Sequence, residues 1–593
     1  MRILVNHVGF EASGVKHALV QTDTEKSVWL NHDIPMKFEI VEYGTGKVCL
    51  AGFCENVGSV EGWKNWEFYK LSFNDFTVAG TYRIKIDFSE ETVQSWPFEI
   101  RENLFVEECL SDILFYLKGQ RCSGEVDNHD CNIPFFGNRK DRVDVHGGWY
   151  DASGDYSKYL SHLSYANYLN PQQTPAVVWA LLQGLSFITQ DTRPTHFFLK
   201  SRIREEAAWG ADFLVRMQDR EGYFYITVFD GWSHEPEKRM ISSFKTQEGI
   251  RGDDYQAGIR QGAGMAIAAL ARAYSCGLKG GFPAEVYLKT AERGYAHLKG
   301  KNTEYLDDGR ENIIDHYCGL LAATELYKAT GSKSYLDDAR ERVKALASCQ
   351  RRFSDSSNYW VADRETGRPY YHPAEAGLPL IALLRYVDVE EDIAPFRAAV
   401  EVLGRAVQFE LEVTDEVNNP FGYARQYIKP LNGHVHTSFF MPRDNETGYW
   451  WQGENARIAS LAAAMFWVAA NYQNDHLEAP LNRQTVPSLI NYATNQLNWI
   501  LGLNPYDTCM MDGHGWNNPE YEKDFPNAPG GICNGVTGGF SDDTGIDFLP
   551  SSAGTSRLHR WRWSEQWLPH AAWFFLAICA EYHCRRGGAE DEG

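Results

Sequence analysis

The chain has 593 residues, of which 44% are hydrophobic, and this composition is that of a folded protein with a large core. The 79 acidic and 57 basic side chains give a formal net charge of −22. This charge argues against nucleic acid and anionic membranes as partners, because both repel an acidic protein. The sequence contains no run of 18 apolar residues, so no membrane-spanning segment is predicted.

The cysteines point to a reducing compartment. The 12 cysteines are scattered from Cys49 to Cys584, and none forms a Cys-x-x-Cys pair. Buried free thiols explain this pattern better than disulfides or zinc sites. The first residues also lack the apolar stretch and cleavage site of a signal peptide. We therefore expect a cytoplasmic protein.

Residues 1–103 have the pattern of a strand-rich domain. Short β-rich runs alternate with turn residues and predict strands at 3–8, 17–20, 27–30, 36–41, 68–73, 80–88 and 95–100. Seven short strands in about a hundred residues are typical of a small antiparallel, immunoglobulin-like sandwich. The domain lacks an obvious exposed aromatic row, so we expect it to serve in packing rather than in carbohydrate binding.

Residues 104–585 change to the helical period of 3.6. Apolar stripes predict helices near 104–117, 159–168, 174–189, 201–218, 254–275, 283–298, 312–329, 334–349, 374–386, 393–410, 453–472, 484–502 and 566–583. No repeat of 34 or 40 residues is evident, which argues against an ordinary helical solenoid. A closed ring of helical hairpins fits, so the fold class is predicted as mainly α with a preceding β-sandwich. Residues 586–593 are expected to form a disordered tail.

A glycine-rich loop carries the first candidate catalytic residues. Asp151 and Asp155 lie within five residues of each other, next to Trp149 and Tyr150. Two carboxylates so close repel each other unless backbone, water or a ligand stabilises them. The pair could bind calcium, but a calcium loop usually supplies more oxygen donors, and aromatic neighbours suit a sugar better. We interpret the pair as catalytic, with Trp149 and Tyr150 as substrate-binding residues.

Near the other end, Glu565 is flanked by Trp561, Trp563 and Trp567. A carboxyl group among tryptophans is expected to be desolvated, which raises its pKa to the range that a general acid needs. The alternative is a glutamate at a helix N-terminus with Ser564 as the cap. The residues alone leave both interpretations open.

Several motifs in the same order resemble glycoside hydrolase family 9, a family of inverting β-1,4-glucanases. The matching segments are Asn6-His7-Val8-Gly9-Phe10, Asp75–Tyr82, Gly147-Gly148-Trp149-Tyr150-Asp151-Ala152, Trp209–Leu214, Leu501-Gly502-Leu503-Asn504-Pro505 and Glu565. The resemblance implies an (α/α)6 barrel packed against an immunoglobulin-like domain. It also implies that Asp155 is the general base, that Asp151 helps to hold the attacking water and that Glu565 is the acid.

The chain departs from the family pattern in two places. The loop Asp151-Ala152-Ser153-Gly154-Asp155 is one residue longer than the usual aspartate motif. The His-His-Arg cluster of the endoglucanases is missing after Pro505, and His514 is only a loose substitute for it as a substrate-binding residue. The longer loop resembles that of the cytoplasmic exo-β-D-glucosaminidase type of chitin-catabolising marine bacteria, within the same family.

A second aromatic patch precedes the helix predicted at 453–472. Trp451, Glu454, Asn455 and Arg457 form a plausible sugar-recognition set, with Trp451 stacking on a ring. Because Glu454 and Arg457 are three residues apart on one helical face, they could instead be an ordinary ion pair. We favour sugar binding.

The sequence therefore predicts an inverting glycosidase that removes glucosamine from the non-reducing end of short chitin-derived oligosaccharides such as GlcN-GlcNAc. A β-1,4-glucanase or cellobiase is the alternative within the family, and a non-catalytic sugar-binding protein is the alternative outside it. No organic cofactor or metal is expected, and nothing in the sequence indicates calcium.

Overall fold

The computed structural model describes residues 1–587 except for 24–35, 89–90, 163, 190–192, 247, 449, 475, 478–480, 482 and 555–556. The strand predicted at 27–30 and most of the tail predicted at 586–593 lie outside the described residues.

The N-terminal domain is a two-sheet sandwich. Its described strands are β1 Arg2–Leu4, β2 Gly9–Glu11, β3 His17–Asp23, β4 Lys37–Glu42, β5 Val48–Phe53, β6 Glu55–Gly58, β7 Trp66–Ser72, β8 Gly80–Phe88, β9 Glu91–Gln94 and β10 Phe98–Arg101. One sheet has the order β1-β3-β7-β6 and the other β2-β10-β8-β4-β5, with β9 also paired to β8. Inward side chains such as Val20, Ile40 and Ile84 form the core between the sheets.

Besides the three-residue β2, three of these strands, β5, β6 and β9, were not predicted. Two of them, β5 and β6, end their sheets, and all three carry mostly exposed or half-exposed side chains. Such strands lack the alternation of apolar and polar residues on which the prediction depends, because no core lies against one whole face.

The second domain contains the helices. They are α1 Leu104–Gly119, α2 Gly124–Asp130, α3 Thr174–Ile188, α4 Pro194–Arg216, α5 Gly264–Ser275, α6 Ala284–Lys301, α7 Ile313–Thr330, α8 Lys333–Ser348, α9 Leu378–Val387, α10 Ile393–Asp415, α11 Asn455–Gln473, α12 Val486–Ile500, α13 Arg557–Ser564 and α14 Leu568–Arg585. None of the helices in the described part of the chain has the length and apolar character needed to cross a membrane.

Six of the helices form a closed inner ring. The ring has the order α3, α5, α7, α9, α11, α14, and each helix packs against the next. The last helix, α14, packs against α3 and closes the ring. Helices α1, α4, α6, α8, α10 and α12 each pack on the outside of one inner helix. The architecture is an (α/α)6 barrel. Helices make up 42% of the chain, so the label "mainly α" is not confirmed, because the sandwich and long loops take up the rest.

Short strands in the barrel domain form small two- and three-stranded sheets in these loops. They are Ile133–Pro134, Arg142–Val143, Lys158–Tyr159, Phe224–Tyr225, Thr227–Phe229, Met240–Ile241, Ser243–Phe244, Arg251–Gly252, Gln256–Ala257, Gln350–Arg352, Asn358–Trp360, Gln426–Ile428, His436–Ser438, Thr537–Gly538 and Ile546–Asp547.

Two predicted helices are wrong in whole or in part. The segment predicted at 159–168 begins with the strand Lys158–Tyr159, which pairs with Thr227–Phe229, and contains only a short 3₁₀ turn. The helix predicted at 254–275 is a regular α-helix only from Gly264, after an irregular π-helical segment at Ile259–Ala263 in which Gly262 adopts a left-handed φ of 100° against Leu160. In both places tertiary pairing of a loop overrides the local helical pattern.

The sandwich is fixed to the barrel through its first sheet. Leu4, Leu19 and Phe68 belong to the same apolar core as the barrel helices. His7 donates its backbone N–H to Leu501 O at 2.8 Å, and its ring lies 3.0 Å from Asp507. A methyl group on Gly502 would come within 2.4 Å of that ring, so the glycine allows the two domains to approach closely.

One buried carboxylate joins four of the inner helices. Glu325 of α7 accepts hydrogen bonds from Trp179 of α3 at 3.0 Å and from Arg385 of α9 at 3.0 and 3.1 Å, and it pairs with Arg272 of α5 at 3.3 Å. Burial alone raises the pKa of Glu325, but the two arginines lower that pKa to about 2. The carboxylate therefore stays ionised and balances two buried cations.

We expect Glu325→Gln to lower the free energy of unfolding by about 3–5 kcal/mol, because removing one partner leaves buried charge uncompensated. Denaturant unfolding followed by circular dichroism measures this. Glu341→Gln is the matched control, since the Lys344–Glu341 pair is exposed. A change as small in the first variant as in the second would contradict the assigned role.

Candidate active site

Two glycines shape the start of the aspartate loop. Gly147 and Gly148 have left-handed φ values of 83° and 74°. A methyl group on Gly148 would lie 2.8 Å from the ring of Phe213. Other residues are strained in this conformation, so the Gly-Gly pair allows the chain to turn tightly over α4.

A buried ion cluster fixes the far end of the same loop. Lys158 has no exposed surface and lies 2.7 Å from Asp130, while its ammonium group also donates to Val145 O and Gly147 O. Arg239 donates two hydrogen bonds of 2.7 and 2.8 Å to Asp130. Both ends of the loop are therefore held by buried groups.

The extra residue of the motif is absorbed by a tight turn. Ala152 and Asp155 exchange backbone hydrogen bonds of 3.3 Å in both directions. This turn closes the longer loop on itself, so Asp151 and Asp155 lie side by side. Their Oδ2 atoms are 3.6 and 3.8 Å from the same atom, His162 Nε2.

The turn docks directly on the segment that follows α13. Ser153 donates its backbone N–H to Gln566 O at 2.9 Å, and Leu568 donates to Asp151 O at 3.0 Å. The backbone N–H of Gln566 also donates to Ser153 Oγ at 3.3 Å. The inserted Ser153 is thus one of the residues that join the two segments.

Asp151 is buried with only 3% of its surface exposed. Its Oδ2 accepts a hydrogen bond of 3.0 Å from Trp567 Nε1, and its Oδ1 accepts one from Gln173. Burial, followed by the charge of Asp155 and then that of Glu565, raises the pKa of Asp151 well above its usual range. The two aspartates titrate as an interacting pair.

Asp155 is 7% exposed and receives more donors. Its Oδ1 accepts from the backbone N–H of Ser157 at 2.8 Å, and its Oδ2 accepts from Tyr159 Oη at 2.8 Å and Trp232 Nε1 at 3.1 Å. Burial and the charge of Asp230 raise the pKa of Asp155 to about 6, although these hydrogen bonds lower it. Asp155 is therefore ionised at neutral pH and loses its charge as the pH falls through about 6, which suits a general base.

Glu565 lies directly after α13 and faces the aspartate turn. Ser564 is the last residue of that helix and donates its hydroxyl to Arg560 O, so it does not cap a helix that starts at Glu565. A methyl group built on Gly154 would come within 2.7 Å of Glu565 Oε1. The glutamate carboxyl group therefore packs against the residue next to Asp155.

His162 adds a neutral imidazole beside the two aspartates. Burial lowers the pKa of its ring to about 3, and its Nε2 atom is buried without a hydrogen-bond partner among the described residues. Asp151, Asp155 and His162 each offer one ligand atom within 4.8 Å of the others, a spacing that suits a metal ion. The separations of 3.6 and 3.8 Å equally suit one water shared by the three groups.

Sequence reasoning missed several of these neighbours. Gln173, Tyr159, His162 and Trp232 all lie within hydrogen-bond or ion-pair distance of the aspartates. Tyr159 could have been recognised from its position four residues after Asp155. The other three carry no local signal: Gln173 and Trp232 reach the site from more distant segments, and His162, seven residues after Asp155, belongs to no recognised motif.

The aromatic neighbours of the aspartates have different positions from those expected. Trp149 has no exposed surface, and its indole donates to Glu206 at 2.8 Å, so these contacts give no support to the prediction that Trp149 binds substrate. Tyr150 is half-buried and stacks on Tyr156, which stacks on His234. His234 lies 3.0 Å from Gly154 O, so this aromatic stack reaches the edge of the site.

The patch at 451–457 is a structural cluster. Glu454 and Arg457 are buried and form an ion pair of 3.2 Å, which is the alternative that the sequence left open. Asn455 donates to Cys533 O at 2.8 Å, and Trp451 is 4% exposed and packs against Trp563. A sugar cannot reach these side chains without moving the residues that bury them.

His514 is not brought next to the aspartate pair. Its Nε2 atom lies 3.0 Å from Asp112 of α1. The predicted substrate-binding role has no support from this contact.

Comparison with known proteins agrees with this architecture. The sequence profile "Glycosyl hydrolase family 9" matches residues 107–524, and "Cellulase N-terminal ig-like domain" matches residues 1–91. The first match covers more than half of the 593 residues, although it ends before Glu565.

Curated relatives are distant. The chain is 25% identical to a cellodextrinase of Butyrivibrio fibrisolvens over 380 residues, which are 58% of this chain and 61% of that protein. It is 23% identical to endoglucanase 18 of Arabidopsis thaliana over 449 residues, which are 71% of this chain and 79% of the relative. The match thus spans about three fifths of the cellodextrinase.

Solved structures share the fold. A metagenome-derived family 9 endoglucanase superposes with a TM-score of 0.67 at 18% identity and covers 98% of both chains. A family 9 protein of Bacteroides ovatus gives 0.63 at 16% identity, covering 98% of this chain and 99% of its own. With an immunoglobulin-like domain, an (α/α)6 barrel and a profile match over most of that barrel, the chain belongs to glycosyl hydrolase family 9.

Proposed function

We propose that the protein is an inverting glycosidase in which Glu565 is the general acid and Asp155 the general base. The observation that carries this proposal is the docking of the aspartate turn on the segment around Glu565, which brings three carboxyl groups from distant parts of the chain together. An inverting hydrolase requires one acid and one base on opposite faces of a sugar ring.

In this mechanism, Glu565 protonates the glycosidic oxygen as the bond to the leaving group breaks. Asp155 takes a proton from a water that attacks the anomeric carbon from the other face, and Asp151 holds that water. The ring passes through an oxocarbenium-like state whose positive charge the neighbouring carboxylates stabilise. The result is a product of inverted configuration.

We propose glucosamine as the sugar that is removed. Within the described part of the chain, neither Asp151 nor Asp155 forms an ion pair with lysine or arginine, and the nearby His162 is kept neutral by burial. Burial is the largest cause of the raised pKa values of both aspartates, and crowding by neighbouring carboxylates, Asp155 beside Asp151 and Asp230 beside Asp155, raises these pKa values further. A substrate ammonium group at C2 would relieve this crowding, with Asp151 as its partner.

The natural substrate in this proposal is a short chitin-derived oligosaccharide such as GlcN-GlcNAc, hydrolysed from its non-reducing end in the cytoplasm. All 12 cysteines are unpaired, which is typical of a reducing compartment. Neither nucleic acid nor a membrane is proposed as a partner, given the net charge of −22.

A β-1,4-glucanase or cellodextrinase is the second candidate. The names of the curated relatives, a cellodextrinase and an endoglucanase, support it. It differs from the first in the sugar and, for an endoglucanase, in cleaving within a chain, whereas the acid and base would be the same residues.

A disaccharide panel separates the candidates. We expect the purified protein to release glucosamine from GlcN-GlcNAc faster than it releases glucose from cellobiose, as measured by chromatography of the products. Glucose as the preferred product would favour the glucanase. Release of neither sugar would leave a binding protein. Glu565→Gln is the control that ties any activity to this site, with an expected loss of about 10²–10⁴-fold.

Asp151→Asn tests the amine contact. We expect kcat/KM to fall about ten- to a hundredfold further for an aryl β-glucosaminide than for an aryl β-glucoside, because a charge-assisted hydrogen bond contributes about 1.5–3 kcal/mol. Equal losses on both substrates would remove Asp151 as the ammonium partner and leave it only the role of holding water.

Gly154→Ala tests the close approach of the two segments. The added methyl group would meet Glu565 Oε1 at 2.7 Å and Phe525 Cβ at 3.0 Å, so the acid must shift. We expect kcat/KM to fall by about tenfold to a hundredfold, since displacements near 1 Å have effects of this size. Gly119→Ala is the control, because its methyl group would meet nothing within 4 Å. Unchanged turnover in the Gly154 variant would show that Glu565 does not depend on this packing.

A further inference from the structure

The loop 230–234 is held in an unusual conformation next to the general base. Trp232 and His234 are non-glycine residues with left-handed φ values of 56° and 59°. Such backbone conformations are costly and persist only where the surrounding structure enforces them. A single buried side chain enforces the conformation of this loop.

That side chain is Asp230, which is 1% exposed. Its Oδ1 accepts the backbone N–H of Trp232 at 2.8 Å, and its Oδ2 accepts that of His234 at 3.0 Å. The carboxylate therefore binds the backbone N–H of both strained residues.

The same carboxylate reaches back to the aspartate loop. Asp230 Oδ1 accepts the hydroxyl of Ser157 at 2.9 Å, and the backbone N–H of Ser157 donates to Asp155 Oδ1 at 2.8 Å. Trp232, fixed by Asp230, donates its indole N–H to Asp155 Oδ2 at 3.1 Å. Two of the three donors to Asp155 thus depend on Asp230.

We propose that Asp230 is a positioning residue that orients the carboxylate of Asp155 and, through its negative charge, keeps that carboxylate basic. The proposal rests on the assignment of Asp155 as the general base. Asp230 acts through Ser157 and Trp232 and does not itself touch the substrate.

The negative charge of Asp230 and the hydrogen bonds donated to Asp155 have opposite effects on the pKa of Asp155. Donors from Ser157 and Trp232 favour the ionised form of Asp155, whereas the nearby charge of Asp230 disfavours it. Burial and the charge of Asp230 are the two largest causes that raise the pKa of Asp155 to about 6. The sign of a shift in this pKa therefore distinguishes loss of charge from loss of hydrogen bonds.

Other groups also face this pair. Asp151, Tyr159 and His162 surround Asp155, and Glu565 lies across from them. Arg239 and Arg251, on neighbouring segments, interact electrostatically with Asp230. All of these remain in an Asp230 variant, so a shift is assigned to Asp230 alone.

Asp230→Asn is the test, because an amide of the same shape retains an oxygen for Ser157 and Trp232 but carries no charge. We expect kcat to fall about tenfold to a hundredfold with little change in KM. We also expect the acid limb of the kcat/KM profile, near pH 6 in the native protein, to move to lower pH. A purely structural role would leave that limb in place, or move it upward as hydrogen bonds to Asp155 are lost.

A second readout does not depend on turnover. The indole N–H of Trp232, ¹⁵N-labelled and assigned with Trp232→Phe, reports the ionisation of Asp155 in an NMR pH titration. Its midpoint should lie near 6 in the native protein and lower in Asp230→Asn. An equal or higher midpoint in the variant overturns the proposal, even if the native protein hydrolyses sugar. A lower midpoint in a protein without activity would support it while the proposed function fails.

Asp212→Asn is the matched control. Asp212 likewise binds two backbone N–H groups, of Gly281 and Phe282, and one hydroxyl, of Tyr287, but within the described part of the chain none of these three partners hydrogen-bonds to Asp151 or Asp155. We expect this variant to lose stability without any change in the acid limb or in the Trp232 midpoint.

Discussion

The site depends on the docking of a turn near residue 153 on a segment near residue 566. Three backbone N–H groups and the indole N–H of Trp567 donate hydrogen bonds between them, and two of these four bonds use Ser153, the extra residue expected from the resemblance to the family motif. Because more than four hundred residues separate the partners, the contact exists only once α14 has closed the barrel against α3. Closure of the helical ring is therefore what assembles the carboxyl groups, and the extra residue stabilises the assembled state.

Docking brings the carboxyl groups of the site together in a buried space. In the part of the chain that the structure describes, the protein gives neither Asp151 nor Asp155 the lysine or arginine partners that other buried carboxylates have. In two other buried clusters it pairs carboxylates with cations, Glu325 with two arginines and Asp130 with Lys158 and Arg239. At the aspartate turn it supplies neutral donors from Trp567, Tyr159 and Trp232 instead. Neutral donors orient a carboxylate without neutralising it, so the site keeps its attraction for a proton, an oxocarbenium ion or a substrate ammonium group.

The sequence predicted the features that depend on local residue patterns. Periodicity located most barrel helices, and the order of the motifs identified Asp151, Asp155 and Glu565, which the structure brings together. It could not reveal that Trp149 is wholly buried, and it left open whether Glu454 pairs with Arg457 or binds a sugar, since aromatic and charged residues in a row look the same in a core as in a cleft. Nor could it find Trp232 or Asp230, because their contacts to the turn arise only from the folding of distant loops.

The central claim is that Asp155 and Glu565 act on opposite faces of one sugar ring. The configuration of the first product tests it most directly. A ¹H NMR time course on a β-linked glucosamine disaccharide resolves the anomeric proton of the released sugar before mutarotation. We expect the α-anomer to appear first. Initial release of the β-anomer would contradict it, because retention requires a carboxylate that attacks the ring itself.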